Sequence, residues 1–310
     1  MIDLPTRGFR NRIYLGSFLR YRPLWLKYEG DEPLINFQVK CKLTDKDIAF
    51  EKLRADRRDL LFISYDGHRI PYWIEKINNS EIIVWLKFSK IIHGKEVFWL
   101  YYGNGHFSGA SNGSEVFDFF QDYEQGIVGS QPSGWTIENG NPTIEITDEY
   151  AFYGSKSVKF IDDSSTAGLA GPNFNKEYTD KIIIEFNWRV DGNDYDKINI
   201  ESAGDGLNKG LQLIHYPDRI IARGSAETLV GYVSQHTWYK ITIKMRISEN
   251  ENDIYINDGD IGSALNVNFR DSRTSINCLR MQGDGEGNPT FYLDAPRIRK
   301  YAEIEPTIIV

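Results

Sequence analysis

Three segments decide the fold: Pro71-Tyr72-Trp73-Ile74-Glu75, Ile82-Ile83-Val84-Trp85-Leu86-Lys87 and Phe98-Trp99-Leu100-Tyr101-Tyr102-Gly103-Asn104. They hold three of the seven tryptophans. Each has the aromatic and β-branched content of a strand and is bounded by Gly, Asn or Pro. Together they predict a tightly packed antiparallel β unit. Residues 36–43 alternate, with Phe37, Val39, Cys41 and Leu43 on one face and Gln38, Lys40 and Lys42 on the other, which puts Cys41 in the core. Asp66-Gly67 supplies a hairpin turn. Nearer the start, residues 12–18 and 23–28 read as short strands, with a Gly-Asp-Glu-Pro turn at 30–33. The charged segment 45–59 reads as one short helix or an ordered loop.

The length of 310 residues predicts about two domains, at about 100–200 residues each. A hydrophobic content of 41% and an aromatic content of 14% favour ordered strands over disorder. The net charge of −8 argues against a nucleic-acid partner, which calls for a basic stripe. Arg7, Arg10, Arg12, Arg20, Arg22 and Lys27 form a basic exception, read as charge guarding solvated edge strands; a docking surface for an acidic partner is the alternative. Cys41 and Cys278 lie far apart, so no stabilising disulfide is expected. The first residues lack the apolar core of a signal peptide, and no run reaches membrane-spanning length, so no membrane insertion is expected.

A wider series carries a resemblance: Asp59-Leu60-Leu61-Phe62, Asp66-Gly67, the segment from Ile70 to Glu75, Val84-Trp85-Leu86, and Trp99 to Asn104. It resembles the domain-of-unknown-function 2341 family, whose members are mostly prokaryotic, archaeal or viral and place a β-rich module before lectin-like sandwich domains. The resemblance implies architecture and confers no activity. The stretch 298–307 is similar to the closing segment of such proteins. A Gly-, Ser- and Asn-rich stretch at 103–113 precedes 116–123, which resembles the strand entering the second domain, so the expected domains are 1–113 and 114–310. The second resembles a concanavalin-like or laminin-G-like jelly roll in the stretches 153–160, 182–189, 237–243 with 253–259, and 291–294. Periodicity agrees: Ile182, Ile184, Phe186 and Trp188 share a face, as do Tyr239, Ile241, Ile243 and Met245. The expected fold is all-β, an N-terminal antiparallel β-sandwich-like module followed by a C-terminal concanavalin-like jelly-roll sandwich.

Asp191, Asn193, Asp194 and Asp196 around Gly192 offer the hard oxygens that a calcium ion gathers, although an acidic turn between strands has the same composition. The stretch 283–288 is a second acidic loop of that kind. Sugar binding needs an aromatic platform beside planar polar groups. Tyr195, His215, Tyr216, Tyr232 and His236, with Asp218, are the candidates for carbohydrate binding, each with half-buried packing as its alternative. Trp73 and Glu75 share a face, where a Glu paired to an Arg is the structural account and a carboxyl of raised pKa the functional one. Glycan cleavage needs two facing carboxylates; the spacing of Glu145, Asp148 and Glu149 is wrong for that. No nucleophile elbow, zinc-type His pair, phosphate loop or dinucleotide fingerprint occurs.

These readings lead to an expectation of a non-enzymatic surface-recognition protein that binds a glycan or host-surface receptor. Its expected setting is a virion, as a receptor-binding or decoration component in a homo-oligomer with sister subunits; an extracellular or cell-surface location is the alternative. A purely structural subunit and a concanavalin-like glycan-cleaving enzyme are the alternative functions.

Overall fold

Apolar alternation in the first hundred residues folds into two small antiparallel sheets. The computed structural model describes residues 15–162, 167–191, 196–201, 209–283 and 290–310. The chain divides into two compact units, Met1–Phe117 with Ala302–Val310, and Asp118–Tyr301. The limits read from the sequence differ from these at both ends.

In the first unit, β1 (Arg20–Tyr28) pairs with β6 (Gly94–Tyr102), which pairs with β3 (Leu61–Ser64). The second sheet runs β2 (Leu34–Thr44), β5 (Glu81–Ile91), β4 (Tyr72–Ile77). Residues Thr307–Ile309 add a further strand on β1, pairing Trp25 with Ile309 and Lys27 with Thr307. The core holds Leu24, Leu26, Phe37, Val39, Cys41, Leu43, Phe62, Tyr72, Val84, Leu86 and Leu100. Cys41 is buried as the alternation predicts. Gln38 is also buried, because its amide donates to the Val116 carbonyl at 2.9 Å.

Trp73 and Glu75 are both buried, and the Trp85 indole donates to Glu75 Oε2 at 3.0 Å. Lys40 faces Glu75 at 3.9 Å. Two local expectations fail. Residues 15–17 form a 3-10 turn rather than strand, while Arg12 lies outside the described residues. The 45–59 segment holds a 3-10 turn at Phe50–Lys52 and is otherwise an ordered loop. It is closed by Asp59, whose carboxylate accepts from the Arg54 and Gly103 amides, both at 2.9 Å.

The second unit is a β-sandwich. Its strands are β7 (Phe119–Phe120), β8 (Trp135–Asn139), β9 (Thr143–Thr147), β10 (Ser157–Ile161), β11 (Leu169–Tyr178), β12 (Lys181–Val190), β13 (Asp196–Glu201), β14 (Lys209–His215), β15 (Arg219–Arg223), β16 (Glu227–Tyr232), β17 (Tyr239–Arg246), β18 (Glu251–Ile256), β19 (Gly262–Asn268), β20 (Ile276–Gln282) and β21 (Thr290–Lys300). One layer runs β8-β11-β20-β13-β14-β15-β16 and the other β19-β18-β17-β12-β21-β10-β9, joined through the Gly231–Gly262 pair. Glycine is required there, since a Cβ on Gly262 would lie 2.2 Å from the Val230 carbonyl oxygen. Ile198, Ile200, Leu211, Leu213 and Met281 from the first layer meet Ile184, Phe186, Trp188, Ile241 and Ile243 from the second. Each such side chain stabilises the fold by about 1.5–3 kcal/mol through burial.

Candidate functional site

Because Ile198, Ile200, Leu211, Leu213 and Met281 point into the core, the alternate residues of the same strands must share the other face. The register arranges them in rows. One row runs Gln282, Lys197, Ile214, Ile221, the next Arg280, Asn199, Gln212, Arg223, and the third Cys278, Glu201. The first layer thus turns a largely polar surface away from the core.

This surface is hydrogen-bonded from strand to strand. Asn199 Nδ2 donates to Gln282 Oε1 at 2.9 Å, and Gln212 Nε2 to Asn199 Oδ1 at 2.7 Å. Lys209 Nζ donates to Gln282 Oε1 at 2.8 Å, while Arg270 and Arg223 donate to Gln212 Oε1 at 2.9 and 3.3 Å. Arg280 is fully buried; its guanidinium bonds the Pro172 carbonyl at 2.9 Å, Glu138 at 2.6 Å and Asn173 at 2.5 Å. A guanidinium can be buried this way only because carbonyls and a carboxylate take up its donors.

Glu201 differs. It is 1% exposed, and neither carboxylate oxygen has a hydrogen-bond partner among the described residues. Burial pushes its pKa up, Lys209 opposing, and burial pushes Lys209 down, Glu201 opposing. Glu138, Glu201 and Cys278 each bring a ligand atom within 4.8 Å of the others.

At the opposite end of the face the hairpin between β14 and β15 forms a rim. The Arg219 guanidinium lies 4.5 Å from the centre of the Tyr216 ring and pairs with Asp218 at 2.7 Å. Across the ladder Arg219 faces Tyr232, which is 70% exposed. The Val233 amide donates to the Asp218 carbonyl at 2.9 Å, fixing the two turns together. Three residues picked from the sequence, Tyr216, Asp218 and Tyr232, therefore converge around an arginine.

The remaining candidates lie elsewhere. His215 is the last residue of β14 and fully buried, 5.3 Å from the Trp188 ring, because it continues the inward series of Leu211 and Leu213. His236 is exposed and lies 3.2 Å from Asp191. Asp191 is held by Arg189, whose Nε and Nη2 donate to its two oxygens at 2.8 and 2.9 Å. Asp196 begins β13 opposite His215 and is fully buried on the inward face. Tyr195, Asn193 and Asp194 lie outside the described residues, as do residues 284–288 of the second acidic loop. Sequence reasoning missed Glu138, Asn199, Glu201, Lys209, Gln212, Cys278, Arg280 and Gln282. The usable signal was the polar-apolar alternation of Lys197-Ile198-Asn199-Ile200-Glu201 and Cys278-Leu279-Arg280-Met281-Gln282.

A family model described as "Domain of unknown function (DUF2341)" matches residues 56–138. A comparison with curated proteins found no match. Similar solved structures include a sialidase at 9% identity and TM-score 0.47, covering 74% of this chain and 21% of that one. This chain thus spans about a fifth of the sialidase's length. Another is the cellulose induced protein Cip1, at 14% identity and TM-score 0.43, covering 59% of this chain and 97% of that one. A third is the CBM22-1 xylan-binding domain from Paenibacillus barcinonensis Xyn10C, at 13% identity and TM-score 0.32, covering 60% of this chain and 96% of that one.

Proposed function

We propose that this chain is a non-enzymatic glycan-recognition protein, and that its second unit holds carbohydrate at the Tyr216, Asp218, Arg219 and Tyr232 rim. The observation that carries this reading is the convergence at that rim: an exposed tyrosine ring for a sugar face, with a guanidinium and a carboxylate beside it for hydroxyls. Recognition is favoured over cleavage because Glu138 is committed to Arg280, and the Glu201 oxygens are closed to a polymer. Display on a virus particle, among sister subunits, is the setting we propose for it.

The test is a glycan array with the full chain, alongside Tyr232→Ala and Tyr216→Ala at the rim and His236→Ala as a remote control. Expected is binding to a defined glycan set that both rim variants lose and the control retains. Folded protein that binds nothing on the array overturns the reading and leaves a purely structural subunit.

A further inference from the structure

We propose that Cys278, Glu201 and Glu138 form a zinc site on the polar face of the second unit, at the end remote from the tyrosine rim. The inference stands apart from the glycan reading, and its test does not involve sugar. Three observations carry it. The Cys278 sulfur and one carboxylate oxygen from each glutamate lie within 4.8 Å of one another. Glu201 is 1% exposed and has no hydrogen-bond partner for either oxygen among the described residues. Cys278 is fully buried, its Sγ donating 3.3 Å to the Glu201 main-chain carbonyl. A buried carboxylate left unpaired costs several kcal/mol, and a cation ligated by both neighbours removes that cost.

The donor set selects the ion. Calcium gathers about six to eight oxygens, which three side chains including a thiol do not supply. Copper(I) prefers sulfur donors, while zinc accepts a thiolate together with two carboxylates, with a water completing a roughly tetrahedral set. Zinc bond lengths place ligand atoms about 3.5 Å apart, so the three atoms must close by about 1 Å, within reach of glutamate rotamers. Charge also favours a divalent ion over a bare cluster of anions. A thiolate and two carboxylates carry three negative charges, which one divalent ion, the Arg280 guanidinium 2.6 Å from Glu138 and the Lys209 and Arg273 cations that act on Glu201 more than offset. Lys209 points its ammonium to Gln282. On binding, zinc displaces the Cys278 proton, and that of Glu201 where present, to solvent; nothing is oxidised or reduced.

The full chain, stripped with chelator and desalted, is titrated with Co2+ as a spectroscopic probe and then with Zn2+. Expected is one Co2+ per chain with thiolate-to-metal charge-transfer absorption in the near ultraviolet, lost on adding Zn2+. Cys278→Ser removes that absorption, and Cys41→Ser, in the other unit, leaves it. Glu201→Gln preserves shape and weakens Co2+ binding at least about tenfold, or about 1.4 kcal/mol. It decides the matter if Cys278→Ser fails to fold. Folded wild-type chain that binds no Co2+, absorption that survives Cys278→Ser, or a Glu201→Gln affinity equal to wild type overturns the proposal.

Discussion

His215 makes the second unit sensitive to acid, by an amount that the structure sets. Its ring is fully buried beside Trp188 and Tyr239, and neither nitrogen has a hydrogen-bond partner among the described residues. Burial pushes its pKa down to about 4 from 6.5, with backbone groups of Tyr216 and His215 itself opposing. Above pH 6.5 the ring is neutral in both folded and unfolded chains. Between 6.5 and 4 only the unfolded chain takes up the proton, so stability falls as pH falls. The shift corresponds to a loss of about 3 kcal/mol below pH 4, of which about 2 kcal/mol is gone by pH 5. Asp294, which burial pushes up to about 7, acts in the opposite direction, so the raw pH profile is a sum. The perturbation is therefore His215→Leu, and the measured quantity is the difference between variant and wild-type urea midpoints, followed by tryptophan fluorescence from pH 7.5 to 4.5. His215→Leu should match or exceed wild type at pH 7.5, because it removes two unpaired polar atoms, and its advantage should widen steadily below pH 6.5. Parallel profiles across that range would refute the argument.

Three further outcomes follow from the same packing. Glu185 is buried with Arg297 at 2.7 Å, Arg299 at 3.4 Å and Lys240 at 3.6 Å; burial opposes its charge, but these cations hold the carboxyl well below the usual range. Glu185→Ala should therefore cost about 3–5 kcal/mol in thermal or chemical denaturation, since it removes the buried carboxylate that three cations share. Gly262→Ala should lose about 1–3 kcal/mol or more, because its Cβ meets the Val230 carbonyl oxygen at 2.2 Å, and Gly→Ala at the open Gly129 serves as the positive-φ comparison. Added calcium should leave the melting midpoint unchanged, because at Asp191 it would have to displace Arg189 from both oxygens; a saturable rise that Asp191→Asn removes would show otherwise.

Most of the architecture was legible because alternation is a local signal. Phe37 to Leu43 and Ile182 to Trp188 each announce one buried face, and both take the strands predicted. Residues 15–17 depart from the strand reading because apolar residues carry strand propensity locally, whereas the 3-10 turn there arises from tertiary context. For His215 the packing alternative holds: adjacency to Tyr216 and the Pro217-Asp218 turn draws attention to it, whereas its parity with Leu213 puts it inside. Tyr216, Asp218 and Tyr232 are each legible in the sequence as candidates, whereas Arg219 is not marked out by residue type alone. Its pairing with Tyr232 depends on the β15–β16 register, which contains a bulge between Ile220 and Ile221. Glu138, Glu201 and Cys278 come from three strands far apart in sequence, and such a cluster exists only once the sheet order is known.

The strand Thr307–Ile309 on β1 makes the second unit an insertion within the first. A protease nick at 113–118 alone would leave the second unit covalently attached to the Thr307–Ile309 strand and so held to the first only through that strand's pairing with β1, and clean release would require a second cut beyond Tyr301. The order of synthesis is affected as well. The β1 edge waits through nearly two hundred residues of another domain before its neighbour is made, and the charge of Lys27, within the stretch that Thr307–Ile309 covers, would disfavour pairing of that unfinished edge with a strand of a different chain.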